Sequence, residues 1–392
     1  MRRSSRDKAE KMIKKIVSLN VGIDVSKYEE EIKAQGGRVI EQLPLINALL
    51  CEFPVHREGE VAGILESHPH VNRVESDLPI KIICFQPNSF FSRRTPAPQQ
   101  IKQEIGWGVK RIGADSFLDI EPKNRVRVGI MDTGIHLQHA DLKDNIKGGI
   151  NVTGNSNDYS DDNGHGTHVA GIVGALNNDI GIVGVMPKVD LYAVKVFNSA
   201  GEGSLSDIIR GLQWCINNKI KLVNMSFGSA TDNATFREVF KNAEKAGVIM
   251  VVAAGNDGND KIQFPAKYPE TIAVSSLNEM NNISSFSSYG PEVNIIAPGE
   301  DIFSTWNNGG YKKMSGTSMA APHVTGAIAQ MLNHWGDLTP AQVRQLLKIT
   351  THRLPLRSEQ QGAGLIDVSK VMRVNPRALQ YQRMVAAYSG AR

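Results

Sequence analysis

Unbroken apolar runs, rather than alternation, mark the chain after residue 100. Arg125–Met131, Asp190–Val196, Leu222–Met225, Ile249–Ala253, Thr271–Ser275 and Asn294–Ala297 are short segments rich in valine and isoleucine. Between them lie stretches with apolar residues at helical spacing: His168–Ala175, Leu205–Asn217, Thr235–Ala246 and Ala320–Trp335. Strands that are apolar on both faces and separated by helices predict an α/β fold with a mainly parallel sheet covered on both sides.

The first eighty or so residues read differently. Lys15–Asn20 predicts a strand and Tyr28–Ala34 a charged helix, stopped by Gly36 and Gly37. Arg38–Gln42 and Asn47–Phe53 predict a strand pair, Glu58–Ser67 a second helix and Val71–Glu75 a last strand. The order β-α-β-β-α-β is the split βαβ, ferredoxin-like arrangement, a small α+β domain. Five zones follow: a basic arm (1–10), this domain (11–83), a linker (84–100), a large α/β domain (101–372) and a basic tail (373–392). The linker carries Pro87, Pro96, Pro98 and the run Ser92-Arg93-Arg94, with no periodicity, and is expected to be exposed and easily cut.

Composition narrows the picture without choosing a function. The chain has 392 residues, 41% of them hydrophobic and 21% charged, close to a soluble globular average. Its longest apolar stretches, such as Val248–Ala254, fall far short of the roughly 20 residues of a membrane-spanning helix. The net charge of +4 is concentrated in residues 1–20, and no aromatic or motif support accompanies that arm, so a nucleic-acid partner is not expected. Three scattered cysteines (Cys51, Cys84, Cys215) make no metal spacing and no disulfide framework. Lysines separate the apolar pairs of the first 20 residues, so no continuous apolar core of a secretory signal forms, and the expected location is cytoplasmic, with export by a non-classical route as the alternative.

Three segments carry chemistry. Asp132 ends an apolar run before Thr133-Gly134, and the carboxyl ends of strands are where an open parallel sheet presents its functional groups. Alone, Asp-Thr-Gly is also an ordinary turn. In Asn163-Gly-His-Gly-Thr-His-Val-Ala-Gly, His165 stands between glycines at the start of a buried helix, suited to a general base. A metal reading of His165 and His168 lacks the expected glutamate and third ligand, and His168 is expected to be a packed structural residue. In Ser315-Gly-Thr-Ser-Met-Ala-Ala-Pro-His-Val, Ser318 opens a helix whose free N–H groups and dipole suit a developing oxyanion.

Together these segments resemble the aspartate, histidine and serine signatures of the subtilase family, in the chain order known for subtilisin. The resemblance spans residues 101–372 almost continuously and residues 11–83 more weakly. It implies a three-layer subtilisin-like fold and a serine endopeptidase acting through an acyl-enzyme. Ser318 would be the nucleophile, His165 the general base and acid, and Asp132 the residue that orients it. Asn256, with the Ser318 N–H, would donate to the oxyanion. Gly201, Glu202 and Gly203 with Ser226, Phe227 and Gly228 match the segments that clamp an extended peptide. Ala253, Ala254 and Gly255 would help wall the first specificity pocket, with Gln263 at its base and Asp257 at its rim. These polar residues suggest a preference for long unbranched or basic side chains over large aromatics.

The resemblance further implies a structural Ca²⁺ and no catalytic cofactor. The ion would take oxygens of Gln103, Asp141, Leu176, Asn178, Ile180 and Ile182. Ala34-Gln-Gly-Gly-Arg-Val-Ile and His70-Val-Asn-Arg-Val-Glu-Ser-Asp resemble the inhibitory propeptide of the family. The chain is therefore expected to be a self-inhibited precursor of a protease that acts on proteins and peptides. Its maturation site is expected between Ile83 and Lys102. A catalytically silent family member would lack one of these residues, and none is missing. A non-protease hydrolase would show Gly-x-Ser-x-Gly, and Gly316-Thr-Ser-Met-Ala does not.

Overall fold

The computed structural model describes residues 11–83, 101–154 and 156–374. The arm 1–10, the linker 84–100 and the tail from 375 onward lie outside the described residues.

A nine-stranded sheet forms the centre of the large domain. Its strands lie in the order Thr351–His352, Leu365–Ile366, Val293–Pro298, Ile272–Leu277, Ile249–Ala253, Leu222–Met225, Arg127–Asp132, Asp190–Lys195 and Ile146–Asn151. Every neighbouring pair is parallel except the first, which is antiparallel. The unbroken apolar runs have a direct cause: successive residues of one strand feed two separate cores. Val251 joins the core on one face, while Met250 and Val252 join the core on the other. The first core is closed by the helices His165–Gly174, Thr317–Trp335 and Pro340–Ile349, the second by Leu205–Asn217 and Ala234–Lys245. The result is a three-layer α/β fold.

Among the elements not foreseen, three show why. The edge strand Ile146–Asn151 contains Gly148 and Gly149 and is only half-buried, so it lacks the apolar run of its neighbours. The hairpin Ile302–Thr305 with Tyr311–Met314 is short and mixed in polarity. The helix Pro340–Ile349 did announce itself, through Thr339, Pro340 and Gln342, which form a capping box with proline at the first turn.

Residues 11–83 form β-α-β-β-α-β as expected, with an antiparallel sheet in the order Arg38–Leu43, Ala48–Pro54, Met12–Leu19 and Val71–Ser76. Alternation decides its two faces. Val17, Leu49, Cys51 and Phe53 pack under the helices Glu29–Ala34 and Glu58–Glu66. Ile16, Ala48 and Leu50 point the other way and share a core with Ile208, Leu212, Phe236 and Phe240 of the large domain. Two carboxylates then cap the helices on which this sheet rests. Glu75 accepts from the backbone N–H groups of Ala234 (3.1 Å) and Thr235 (2.6 Å), and Asp77 from the N–H and hydroxyl of Ser206 (both 2.8 Å). These N–H groups belong to first helical turns, which have no partner inside the helix.

Candidate active site

The carboxyl end of the strand Arg127–Asp132, flanked by Leu222–Met225 and Asp190–Lys195, places Asp132 fully out of solvent. Its Oδ1 accepts from the N–H of Thr133 (2.8 Å) and from Nδ1 of His165 (2.8 Å), and its Oδ2 lies 3.0 Å from the same nitrogen. His165 opens its helix after Gly164, whose φ of 113° is in the left-handed region. A Cβ at Gly164 would lie 2.3 Å from the Trp306 ring, so the loop can approach that indole only with glycine there. The Nε2 atom of His165 is buried and has no hydrogen-bond partner among the described residues.

Ser318 is the second residue of the helix Thr317–Trp335. Its hydroxyl does not bond to His165 in this conformation. It donates instead to the carbonyl oxygen of Ile83 and lies 3.1 Å from that of Ser226. Asn256 is held by the residue before Ser318. Its Oδ1 accepts from the N–H and the hydroxyl of Thr317 (both 2.9 Å), which fixes the amide. The Nδ2 of Asn256 is buried, with no partner among the described residues. Asn256 Nδ2 and His165 Nε2 are thus both buried and unpaired among the described residues, while the serine hydroxyl is engaged with carbonyl oxygens.

The segments expected to clamp a peptide hold a strand of the chain's own. Pro79–Ile82 lies between Glu202–Ser204 and Phe227–Gly228, antiparallel to both. Ile82 donates its N–H to Gly201 and Ile83 to Ser226 (both 3.1 Å). The Phe227 side chain takes no part, since it turns into the core against Phe197. Ile83 lines a pocket together with Gly228, Asn256, Asp257 and Gln263, its side chain against Gly228. Gln263 Nε2 donates to Asp257 (2.9 Å), so the amide expected at the base of the pocket is pinned rather than free. Ala253 ends its strand, Ala254 accepts from the Gln263 N–H (3.0 Å), and Gly255 adopts a φ of 126°. Reading the sequence missed the role of Ile80–Ile83, although a short apolar segment after Pro79 was visible.

His168 is a packed residue. Its Nε2 faces two carbonyls, of Ile302 (3.1 Å) and Lys312 (3.0 Å), so it carries the proton there, and burial pulls its pKa down to about 3. That nitrogen has no lone pair for a metal.

The oxygen-bearing residues gather at a second place. Asp141 is fully buried, its Oδ2 accepting from the N–H of Ile182 (3.0 Å) and the hydroxyl of Tyr311 (2.8 Å), while its Oδ1 has no partner among the described residues. Gln103 Oε1 accepts from the N–H groups of Asn178 (2.8 Å) and Asp179 (3.0 Å), and Asn178 reaches toward Ala140. Leu176 is tied by its N–H to the Asp141 carbonyl (2.8 Å), and Lys102 and Glu104 bridge to Ile180 and Ile182.

Comparison with known proteins agrees with this geometry. Residues 123–364 match the subtilase family. Subtilisin NAT of Bacillus subtilis subsp. natto is 37% identical over 349 residues, covering 88% of this chain and 85% of the relative. A thermostable alkaline protease of Halalkalibacterium halodurans is 34% identical over 355 residues (89% and 88%). Subtilisin DY of Bacillus licheniformis is 41% identical over 271 residues, which is 68% of this chain and 98% of the relative. The chain belongs to the subtilase family and is a serine-type endopeptidase.

Proposed function

We propose that the chain is a self-cleaving precursor in which Asp132, His165 and Ser318 form the catalytic triad and residues 11–83 an intramolecular inhibitor. The first bond cut is Ile83–Cys84. The observation that carries this reading is the Ile83 carbonyl at the Ser318 hydroxyl, presented by a strand that pairs on both edges as a substrate would.

Ser318 turns from Ile83 toward His165, whose open Nε2 takes the proton as Oγ attacks the Ile83 carbonyl carbon. Asp132 holds the other ring nitrogen and stabilises the imidazolium. The carbonyl oxygen, now negative, is met by Asn256 Nδ2 and the Ser318 N–H. The imidazolium then gives its proton to the Cys84 nitrogen, the C–N bond breaks, and water releases Ile83 from the serine. The strand 79–83 remains in the cleft and inhibits until it is displaced. Residues 101–372 are the working protease, with residues 84–100 left as its leader and protein and peptide chains as its substrates.

A calcium ion fits the second site. The orphaned Oδ1 of buried Asp141 calls for a cation, and Gly181, where a Cβ would strike the Tyr311 hydroxyl and Asp141, lets the loop close over it. Asp141, Asn178 and the carbonyls of Leu176, Ile180 and Ile182 would hold the ion, and Gln103 would join by turning its oxygen inward. The ion supplies structural charge balance, not chemistry.

The cysteine count no longer argues for the cytoplasm. Cys51 and Cys215 are buried in different cores, and burial pushes the Cys51 thiol up to about 12, so neither reports on the redox state outside. Among the described residues no helix is long and apolar enough to cross a membrane.

The test is intact mass of the wild type and of Ser318→Ala after incubation with calcium at mildly alkaline pH. A new fragment beginning at Cys84 in the wild type alone is expected. Cutting in both, or in neither while both are folded, overturns the reading.

A further inference from the structure

Two consecutive aspartates before the histidine segment are not explained by the triad. We propose that Asp161, and Asp162 through Lys195, are positioning residues that set the spacing of Asp132 and His165 by gripping Thr133 at its hydroxyl and its carbonyl. The inference rests on the triad proposed above.

Thr133 follows Asp132 directly, and its N–H already bonds the Asp132 carboxylate (2.8 Å). Its hydroxyl donates to Asp161 Oδ1 (2.8 Å) and accepts from the N–H of Gly166, the residue after His165 (3.0 Å). Its carbonyl accepts from Lys195 Nζ (2.6 Å), which also bonds Asp162 (2.6 Å). Lys195 stands opposite Asp132 in the sheet and is only 3% exposed. A buried ammonium persists only where such partners hold it.

Asp161 itself serves five donors with two oxygens. Oδ1 takes Thr133, the Asn163 N–H (3.0 Å) and the Gly164 N–H (2.8 Å), and Oδ2 takes the N–H (2.9 Å) and hydroxyl (2.5 Å) of Thr167. The loop entering the histidine helix and the first turn of that helix are thereby fastened to the residue beside Asp132. Both oxygens face backbone N–H groups, which cannot reverse. An amide at this position must therefore aim its NH₂ at a donor whichever way it turns.

The experiment compares Asp161→Asn, Thr133→Val, Thr133→Ser and Lys195→Met with wild type and Ser318→Ala. Variants that mature slowly are cut by tagged wild-type enzyme, which is then removed. Misplacing a catalytic group by about 1 Å costs on the order of a hundredfold in rate, so kcat is expected to fall about that far in Thr133→Val with KM unchanged. Thr133→Ser, which keeps the hydroxyl, is expected to restore it. The downfield proton NMR signal of the His165 Nδ1–H should broaden in Thr133→Val and Asp161→Asn, and the acid limb of the pH–rate profile should move. Wild-type kcat in folded Thr133→Val, or equal losses in the valine and serine variants, overturns the proposal. Near-wild-type activity in Ser318→Ala would instead overturn the triad on which it rests.

Discussion

The hydroxyl of Ser318 donates to the carbonyl oxygen of Ile83, and the Ile83 side chain, 6% exposed, packs over Gly228 at the wall of the neighbouring pocket. The end of the N-terminal domain is thus fitted to the cleft by backbone and side chain together. A carboxylate in place of this largely buried side chain would lose its hydration among apolar neighbours. Ile83→Asp is expected to slow self-cleavage by about a hundredfold or more, while Ile83→Val leaves it nearly unchanged. Loss of the precursor band over time measures both.

The base of that pocket makes a separate prediction. Gln263 lies against Gly228 and is tethered to Asp257, so it occupies depth that a longer side chain would need. Gln263→Gly should admit phenylalanine at the residue before the cut. One or two methylene equivalents in such a pocket are worth about 10- to 200-fold in kcat/KM. A peptide-library digest showing phenylalanine preferred already in the wild type would refute the assignment of Gln263 as the floor.

Asn256 allows its two ends to be separated. Asp at this position keeps the oxygen that holds Thr317 but replaces the donor with a second acceptor. Asn256→Asp is expected to fold normally and to lose about two to three orders of magnitude in kcat, as for removal of an oxyanion donor. Thermal unfolding and steady-state kinetics on the same sample distinguish this from general damage.

The parts of this architecture that were legible in sequence share a cause. Val251, Met250 and Val252 are apolar because two cores compete for one strand, and that leaves a run anyone can read. Asp132, His165 and Ser318 stand at ends of elements, where glycines and caps punctuate the chain. What stayed hidden depends on partners far away in sequence. The pairing of Ile82 with Phe227 and of Ile80 with Gly203 is carried by backbone atoms, which leave no trace in residue type. The turn of Phe227 into the core, against Phe197, is equally a tertiary fact.

Docking of the N-terminal domain should depend on pH. Burial pushes Asp77 above the ordinary carboxylate range, opposed by its bonds to Ser206 and reinforced by Asp207, and burial raises Glu41 beside Arg210, Asp207 and Lys14. A carboxyl whose pKa is higher when docked than when released binds its proton more tightly in the complex. Docking is therefore strongest in acid and weakens as pH rises from the ordinary carboxylate range, about pH 4, through the raised values, then levels off. Asp77→Asn should flatten this dependence, and Asp77→Ala should weaken docking at neutral pH by about 1–2 kcal/mol through loss of the helix cap. Retention of the cleaved fragment on size exclusion across pH is the measurement. Tighter docking at pH 8 than at pH 5 would contradict it.

The proposed metal loop is assembled while the cleft is still filled. Gln103 donates its N–H to Asp179 (3.1 Å) and Glu104 to Gly181 (2.9 Å), in the same structure that places Ile83 at Ser318. Residues 84–100 join the two places, and a chain of that length reaches up to about 60 Å when extended. Cleavage is therefore not needed to bring Gln103 to Asp141. Uncut Ser318→Ala should lose as much thermal stability to a saturating chelator as the mature enzyme does, about 10 °C if calcium is bound at roughly a thousand times its dissociation constant. Asp141→Asn should abolish the difference in both forms. An unchanged melting temperature in both forms removes the calcium site. A shift in the mature enzyme alone would mean that the site forms only after the Ile83–Cys84 bond is broken.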